Sequence, residues 1–262
     1  MELGLQDKVA LVTAASRGLG KAVAMRLAQE GALVAICARG MEQLEATAAE
    51  IKVETGRPAM PIQADVSDPK DADALIEATV ERFGQLDIFV TNAGGPPPGQ
   101  FLDLTTEDWE AATQLTLMSA VRLLYAAAPQ MKEEGGGSIL AITSVTVKQP
   151  LPNLVLSNSL RLGVIGLVKT LADELAPSGI RVNATCPGWT RTDRVEQLLR
   201  DRALRQGTTP EEEAAKIAAD ILGRMGTPEE FAQAVAFLVS PAASFITGVS
   251  LLVDGGMYRG ML

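Results

Sequence analysis

Lys8-Val9-Ala10-Leu11-Val12-Thr13-Ala14-Ala15-Ser16-Arg17-Gly18-Leu19-Gly20 is the stretch from which the rest of the chain can be read. Lys8–Val12 is short, apolar and β-branched, and turn residues bound it, which predicts a strand. From Gly18 to Gln29 the apolar residues Leu19, Val23 and Leu27 recur at helical spacing. A strand that enters a helix through Gly18 and Gly20 brings free backbone amides to a helix N-terminus, where an anion is favoured. Such a turn can also serve packing alone, so the remaining segments decide between the two.

Working outward, the same alternation recurs. Leu33–Ala38 is followed by a helical stretch Glu42–Val53, Met60–Ala64 by Asp68–Phe83, and Ile88–Thr91 by a longer helical region from Thr106. Ile139–Ile142, a helix Leu154–Ala176, Ile180–Thr185, a helix Pro228–Ser240 and Val249–Val253 complete the pattern. Seven apolar strands separated by helices predict an α/β fold, a doubly wound parallel seven-stranded sheet with helices on both faces. Ligands of such sheets bind beyond the carboxyl ends of the strands. Pro129 and Gly135-Gly136-Gly137 are expected to close the long helix, and Pro96-Pro97-Pro98-Gly99 to stiffen the loop after the fourth strand. Residues 189–225 fit no strand and are expected to form a helical flap over the site.

A chain of 262 residues with 47% hydrophobic content can bury one substantial core, so 1–262 is expected to be a single domain. Its 23 basic and 32 acidic residues leave a net charge of −9, which opposes binding to nucleic acid or an anionic membrane. No basic segment precedes an apolar one at the start, and no uncharged apolar run reaches membrane-spanning length, so a cytoplasmic protein is expected. Cys37 and Cys186 lie within apolar runs and the chain has no histidine, which argues against a zinc site and excludes any imidazole triad. No metal is expected.

Taken in order, the turns resemble those of the short-chain dehydrogenase/reductase family over essentially all 262 residues. Thr13 to Gly20 resembles the family's Thr-Gly-x-x-x-Gly-x-Gly motif, with Ala14 in place of the first glycine. Asp65-Val66 resembles its adenine contact, and Asn92-Ala93-Gly94 its turn beside the adenosine ribose. Pro187-Gly188 with Thr190 and Thr192 resembles the loop around the nicotinamide carboxamide, and Asp254-Gly255-Gly256 the C-terminal signature. The resemblance implies a Rossmann-type fold, a nicotinamide cofactor touched by Ala14 and by Ser16, Arg17, Gly18, Leu19 and Gly20, and a small-molecule carbonyl substrate. Among family members the chain is similar to 3-oxoacyl carrier-protein reductases, which would make the substrate an acyl thioester.

A family member that uses NAD places an acid at the end of the second strand, whereas here Ala38 is followed by Arg39. Arg17 and Arg39 can clasp a 2′-phosphate, so NADP(H) is expected over NAD(H). The alternative is that both are solvated surface groups.

In the family a tyrosine phenol donates a proton to the carbonyl oxygen, a lysine four residues on lowers the phenol pKa and holds ribose, and a serine and an asparagine complete the set. Ser144 matches the serine; as a plain turn residue it would bond only to backbone. Ser157 stands at the tyrosine position, Arg161 at the lysine, and Thr116, seven residues after Trp109, at the asparagine. A serine hydroxyl is shorter and far less acidic than a phenol of pKa about 10. Arg161 can hold ribose but stays protonated.

Two readings follow: a reductase with an atypical active site, or a catalytically impaired cofactor-bound sensor or scaffold. Lys148 is the other candidate donor, while Tyr125 and Tyr258, the chain's two tyrosines, are expected to serve packing or an interface. Arg191, Arg194, Arg200, Arg202 and Arg205 outnumber Asp193, Glu196 and Asp201 in the flap, which favours an anionic substrate unless these form a solvated helix face. The stripe Leu160, Val164, Leu167, Leu171 and Leu175 is expected to be core. Gly163, Gly166 and the tail Gly260-Met261-Leu262 are expected to support a homodimer or homotetramer.

Overall fold

The computed structural model describes residues 2–261. Strands β1 (Val9–Val12), β2 (Leu33–Ala38), β3 (Ala59–Gln63), β4 (Ile88–Thr91), β5 (Gly137–Ile142), β6 (Ile180–Pro187) and β7 (Ser250–Val253) form one sheet of order β3-β2-β1-β4-β5-β6-β7. Every neighbouring pair is parallel. The strand order reverses between β1 and β4, paired from Ala10↔Ile88 to Val12↔Val90, and the crevice of such a sheet opens beyond these ends.

The helices, in chain order, are α1 (Gly18–Gln29), α2 (Met41–Thr55), α3 (Asp71–Phe83), α4 (Thr106–Thr113), α5 (Ser119–Glu133), α6 (Val155–Glu174), α7 (Asp193–Gln206), α8 (Pro210–Ala219) and α9 (Pro228–Val239). Alternate strand residues face opposite layers. Val12, Ile36 and Val90 pack against Leu27 of α1, Leu44 of α2 and Val235 of α9. Leu11, Cys37 and Phe89 pack against Leu75 of α3, Leu123 of α5 and Val164 of α6. Both faces are core, which is why the strands are apolar runs without a polar alternation. Cys37 and Cys186 are buried free thiols, and burial pushes the Cys37 thiol up to about 12.

Several elements differ from the sequence-based expectation. Pro129 lies inside α5, which continues to Glu133. A helical proline forfeits the bond to the carbonyl four residues earlier, and here that residue is Tyr125, on the outer face and 80% exposed. The reversal is made instead by Gly135 (φ 86°) and Gly136 (φ 133°). α3 begins at Asp71, since Asp68 accepts from the Lys70 and Asp71 amides and holds 68–71 as a turn. The region from Thr106 is continuous to Glu133 but passes through a π-helical turn, Gln114–Met118, in which Thr116 is buried. Single-turn π-bulges of this kind cluster at functional sites.

Residues 189–225 hold two helices, each started by a threonine cap. Thr192 Oγ1 accepts from the Val195 amide, and Thr209 forms a capping box with Glu212 ahead of Pro210. Leu199, Ile217 and Met225 give this segment a small core of its own. Glu213 is buried between α7 and α8 and pairs with Arg202 Nε at 2.6 Å and Lys216 Nζ at 2.5 Å.

Among the described residues α6 is the one helix long and apolar enough, by length and composition, to cross a bilayer. In the fold it is the crossover from β5 to β6, and its Val164, Val168 and Ala172 lie on the sheet. Of the C-terminal tail, Met261 is fully exposed and Leu262 lies outside the described residues.

Candidate active site

The crevice is built first from backbone. Thr13 Oγ1 donates to the Asn92 carbonyl at 2.7 Å and accepts from the Asn92 amide at 2.8 Å, joining the ends of β1 and β4. Asn92 Nδ2 also reaches the Ala14 carbonyl at 3.4 Å. Ala14 has φ 49° and Gly18 φ 57°, so the turn needs left-handed backbone at both. A Cβ at Gly20 would stand 2.4 Å from the Ala14 carbonyl oxygen, so only glycine lets α1 approach β1 this closely. α1, like α2, α3 and α6, has no side-chain cap at its N-terminus, and it has no acid in its first turn. Its first amides are thus left to an external acceptor, and a dinucleotide pyrophosphate fits that cradle.

Alanine in left-handed backbone costs about 1–2 kcal/mol, partly offset by the extra chain entropy of glycine, about 0.5–1 kcal/mol. Ala14→Gly is therefore expected to raise stability by up to about 1 kcal/mol, read as a higher urea midpoint at unchanged slope. A lower midpoint would show that Ala14 carries no such strain.

Around this cradle lie the other residues that can hold a nucleotide. Arg39 is exposed directly after Ala38 of β2, and its carbonyl accepts from Gln63 Nε2 at 2.8 Å. Arg17 is also exposed and lies 3.6 Å from Asp193. Asp65 Oδ1 accepts from the Ser67 amide at 3.0 Å and Ser67 Oγ at 2.6 Å, so the Asp65-Val66 turn is fixed by its own side chain. A Cβ at Gly188 would stand 2.7 Å from Asp254 Cα, which locks the Pro187-Gly188 loop against the Asp254-Gly255-Gly256 turn. Thr190 is buried and bridges to Gly226, while the Thr192 methyl would lie 3.6 Å from a Cβ at Gly18. The loop after β6 and the glycine turn after β1 therefore face each other.

Ser144, Ser157, Arg161 and Thr116 converge at the end of β5, in two groups. Ser157 is buried, with its hydroxyl 3.2 Å from Thr146 Oγ1, and the Thr146 amide donates to Ser144 Oγ at 3.2 Å. Thr146 thus links the two serines, a role its place two residues after Ser144 in a turn did not announce. Arg161 Nη1 donates to the Ile142 and Thr143 carbonyls at 3.2 and 3.0 Å. Burial, with the nearby positive charge of Arg194, pushes the Arg161 guanidinium down to about 10, which leaves it cationic at neutral pH.

The second group is Arg161 with Thr116. Thr116 Oγ1 is buried without a hydrogen-bond partner and shares a cavity of about 10 Å³ with Asn92, Ala93, Thr143 and Arg161, the space of a single water. Lys148 is exposed, directly after the turn Val145–Val147. Tyr258 follows β7, where its amide donates to Asp254 Oδ2 at 2.8 Å.

Arg194 is the residue that sequence reasoning did not single out from its neighbours. Its Nη2 donates to the Pro96 carbonyl at 2.6 Å, so the start of α7 is tied to the loop after β4.

A family model described as enoyl-(acyl carrier protein) reductase matches residues 13–258. Dehydrogenase/reductase SDR family member 4 of Sus scrofa is 38% identical over 253 residues, 96% of this chain and 88% of that protein. A 3-oxoacyl-(acyl-carrier-protein) reductase of Synechocystis is 38% identical over 255 residues, 97% of this chain and 98% of that protein. The solved structure of L-sorbose reductase from Gluconobacter frateurii, complexed with NADPH and L-sorbose, matches with a TM-score of 0.94 and 32% identity over 100% of both chains. Matched from Thr13 to Tyr258 by the family model and along nearly its whole length by such relatives, this chain belongs to the short-chain dehydrogenase/reductase family of oxidoreductases.

Proposed function

We propose that the protein is an NADP(H)-dependent oxidoreductase that reduces a small-molecule carbonyl compound or acyl thioester by hydride transfer through an atypical active site. The observation that carries this reading is the glycine cradle flanked by Arg17 and Arg39, with no carboxylate at the end of β2. When bound, the cofactor supplies the hydride at its nicotinamide ring. The amides from Arg17 to Gly20 hold its pyrophosphate, Arg39 and Arg17 its 2′-phosphate, and the Asp65-Val66 turn its adenine. Asn92, Ala93 and Gly94 line its path, and Pro187, Gly188, Thr190 and Thr192 frame the nicotinamide end.

Arg161 holds ribose hydroxyls, with Thr116 and the cavity between them completing that contact. Ser144 Oγ orients the substrate carbonyl. Ser157 is too short and too weak an acid to replace a phenol, so the proton at the carbonyl oxygen comes from another group, of which Lys148, exposed after the turn Val145–Val147, is the first candidate. Residues 189–225 close over the substrate. Tyr125, 80% exposed on α5, and Leu162, 54% exposed on α6, support a homodimer or homotetramer built on these helices.

A second reading, a cofactor-bound sensor or scaffold without turnover, is favoured by one observation: the Ser157 hydroxyl is buried and committed to Thr146.

Titration of NADPH and NADH into the wild type and Arg39→Asp tests the cofactor assignment. One charge-assisted contact is worth about 1.5–3 kcal/mol, so NADPH is expected to bind at least about tenfold more tightly, with the preference lost in Arg39→Asp. Tighter NADH binding by the wild type would overturn it.

A further inference from the structure

The helical flap is tied mainly to itself. Its neck is a single parallel bridge, in which the Arg191 amide donates to the Gly226 carbonyl at 2.9 Å and the Gly226 amide to the Trp189 carbonyl at 3.0 Å. Beyond the neck, α7 and α8 pack chiefly against each other. Buried Glu213 fastens them, taking Arg202 of α7, Lys216 of α8 and, at 2.9 Å, Thr208 Oγ1 of the loop between. The contacts that seat this body over the crevice are consequently few, and two of them leave from the first turn of α7: Arg194 to the Pro96 carbonyl at 2.6 Å, and Asp193 to Arg17.

The second of these contacts falls on the glycine turn. Asp193 Oδ2 lies 3.6 Å from Arg17 Nη1, and the Thr192 methyl lies 3.6 Å from where a Cβ on Gly18 would stand. Asp193 is the first residue of α7, and Arg17 is the residue that precedes α1. Among the described residues neither has another ion-pair partner. Their side chains are 75% and 73% exposed, so the pair is weak and can be exchanged for a better one at little cost. Arg17 is also one of the two cations read above as the clasp of a 2′-phosphate. A carboxylate already beside its guanidinium competes for that cation and repels the incoming phosphate.

We infer that Asp193 is a cofactor-specificity residue: without a 2′-phosphate it occupies Arg17 and latches α7 to the glycine turn, a 2′-phosphate displaces it, and NADH leaves it in place. This rests on the reading of the crevice as a nicotinamide dinucleotide site with Arg17 at the 2′-phosphate. By linkage, the latch lowers affinity for NADPH and not for NADH, and NADPH in turn loosens the first turn of α7.

Calorimetric titration of NADPH and NADH into the wild type, Asp193→Asn, Arg17→Met and the double variant tests this. Asp193→Asn keeps the size of an exposed side chain and is expected to tighten NADPH about two- to fivefold, the range of an exposed ion pair, with NADH unchanged. In the Arg17→Met background the same change is expected to have no effect, because the pair is already absent. Hydrogen exchange supplies a second readout at the Val195 and Glu196 amides, which Thr192 holds at 3.3 and 2.9 Å. These are expected to exchange faster in the NADPH complex than in the NADH complex of the wild type, and equally in the two complexes of Asp193→Asn. An NADPH affinity unmoved by Asp193→Asn, or both cofactors tightened alike, would overturn the inference. A wild type that prefers NADH would sink the native cofactor assignment, and a selective gain for NADPH in Asp193→Asn would then still support the latch, whereas no gain would sink both.

Discussion

Ser157→Tyr combined with Arg161→Lys is expected to raise NADPH-dependent carbonyl reduction by about 10² to 10⁴, the contribution of a positioned general acid. The reason is geometric as well as acidic. Ser157 lies on the first turn of α6, beside Thr146 and one hydrogen bond from the Ser144 turn, so a phenol at that position is expected to reach past Thr146 toward a carbonyl held at Ser144, as proposed above. Arg161 lies four residues on and already points at the end of β5, where a lysine ammonium would sit close enough to lower the phenol pKa. The check is single-turnover NADPH oxidation with one ketone, in wild type and double variant. A wild type without turnover that the double change activates supports the sensor reading for the native chain. A wild type as fast as the variant would mean that another group, with Lys148 first to be replaced by Met, delivers the proton.

Gly20→Ala is expected to cost at least about 10² in NADPH affinity together with about 1–3 kcal/mol of stability, the usual range for forced overpacking. The added methyl would lie 2.4 Å from the Ala14 carbonyl oxygen and 3.0 Å from Ala15 Cα. Both are backbone atoms, so no rotamer change relieves the clash and the N-terminus of α1 must move off β1. That motion withdraws the amides from the pyrophosphate position. Denaturant titration and NADPH calorimetry on one preparation read the two effects separately, and an affinity within threefold of wild type would show that the cofactor is held elsewhere.

The parts of the molecule that were legible from the chain are those whose cause is local. The inner strands announce themselves as apolar runs because both of their faces are buried, while the edge strands β3 and β7 are only partly covered, and the helices show by their spacing, so the parallel winding of the sheet follows. The glycine turn was legible for the same reason, since Gly18 and Gly20 are demanded by backbone within a few residues of themselves. Whether Ala14 mattered hung on its φ, which the residue type does not carry, and the structure shows it in left-handed backbone.

The misses are long-range or backbone-borne. Pro129 was read as a stop although the bond it forfeits faces solvent. The π-turn that buries Thr116 leaves no trace in apolar spacing, because one extra residue shifts the phase only beyond it. Thr146 and Arg194 act through residues 11 and 98 positions away. The charge count over 189–225 registered an excess of arginine without revealing that Arg194 is turned inward while Arg202 is neutralised by Glu213.

The most direct test of the central claim is a crystal structure of the protein grown with NADPH. The account predicts density for the pyrophosphate at the N-terminus of α1, against the amides from Arg17 to Gly20, the 2′-phosphate beside Arg39, and the nicotinamide between Ser144 and Thr192. Side chains filling that cradle at saturating NADPH, or the nucleotide bound away from the carboxyl ends of β1 and β4, would contradict it.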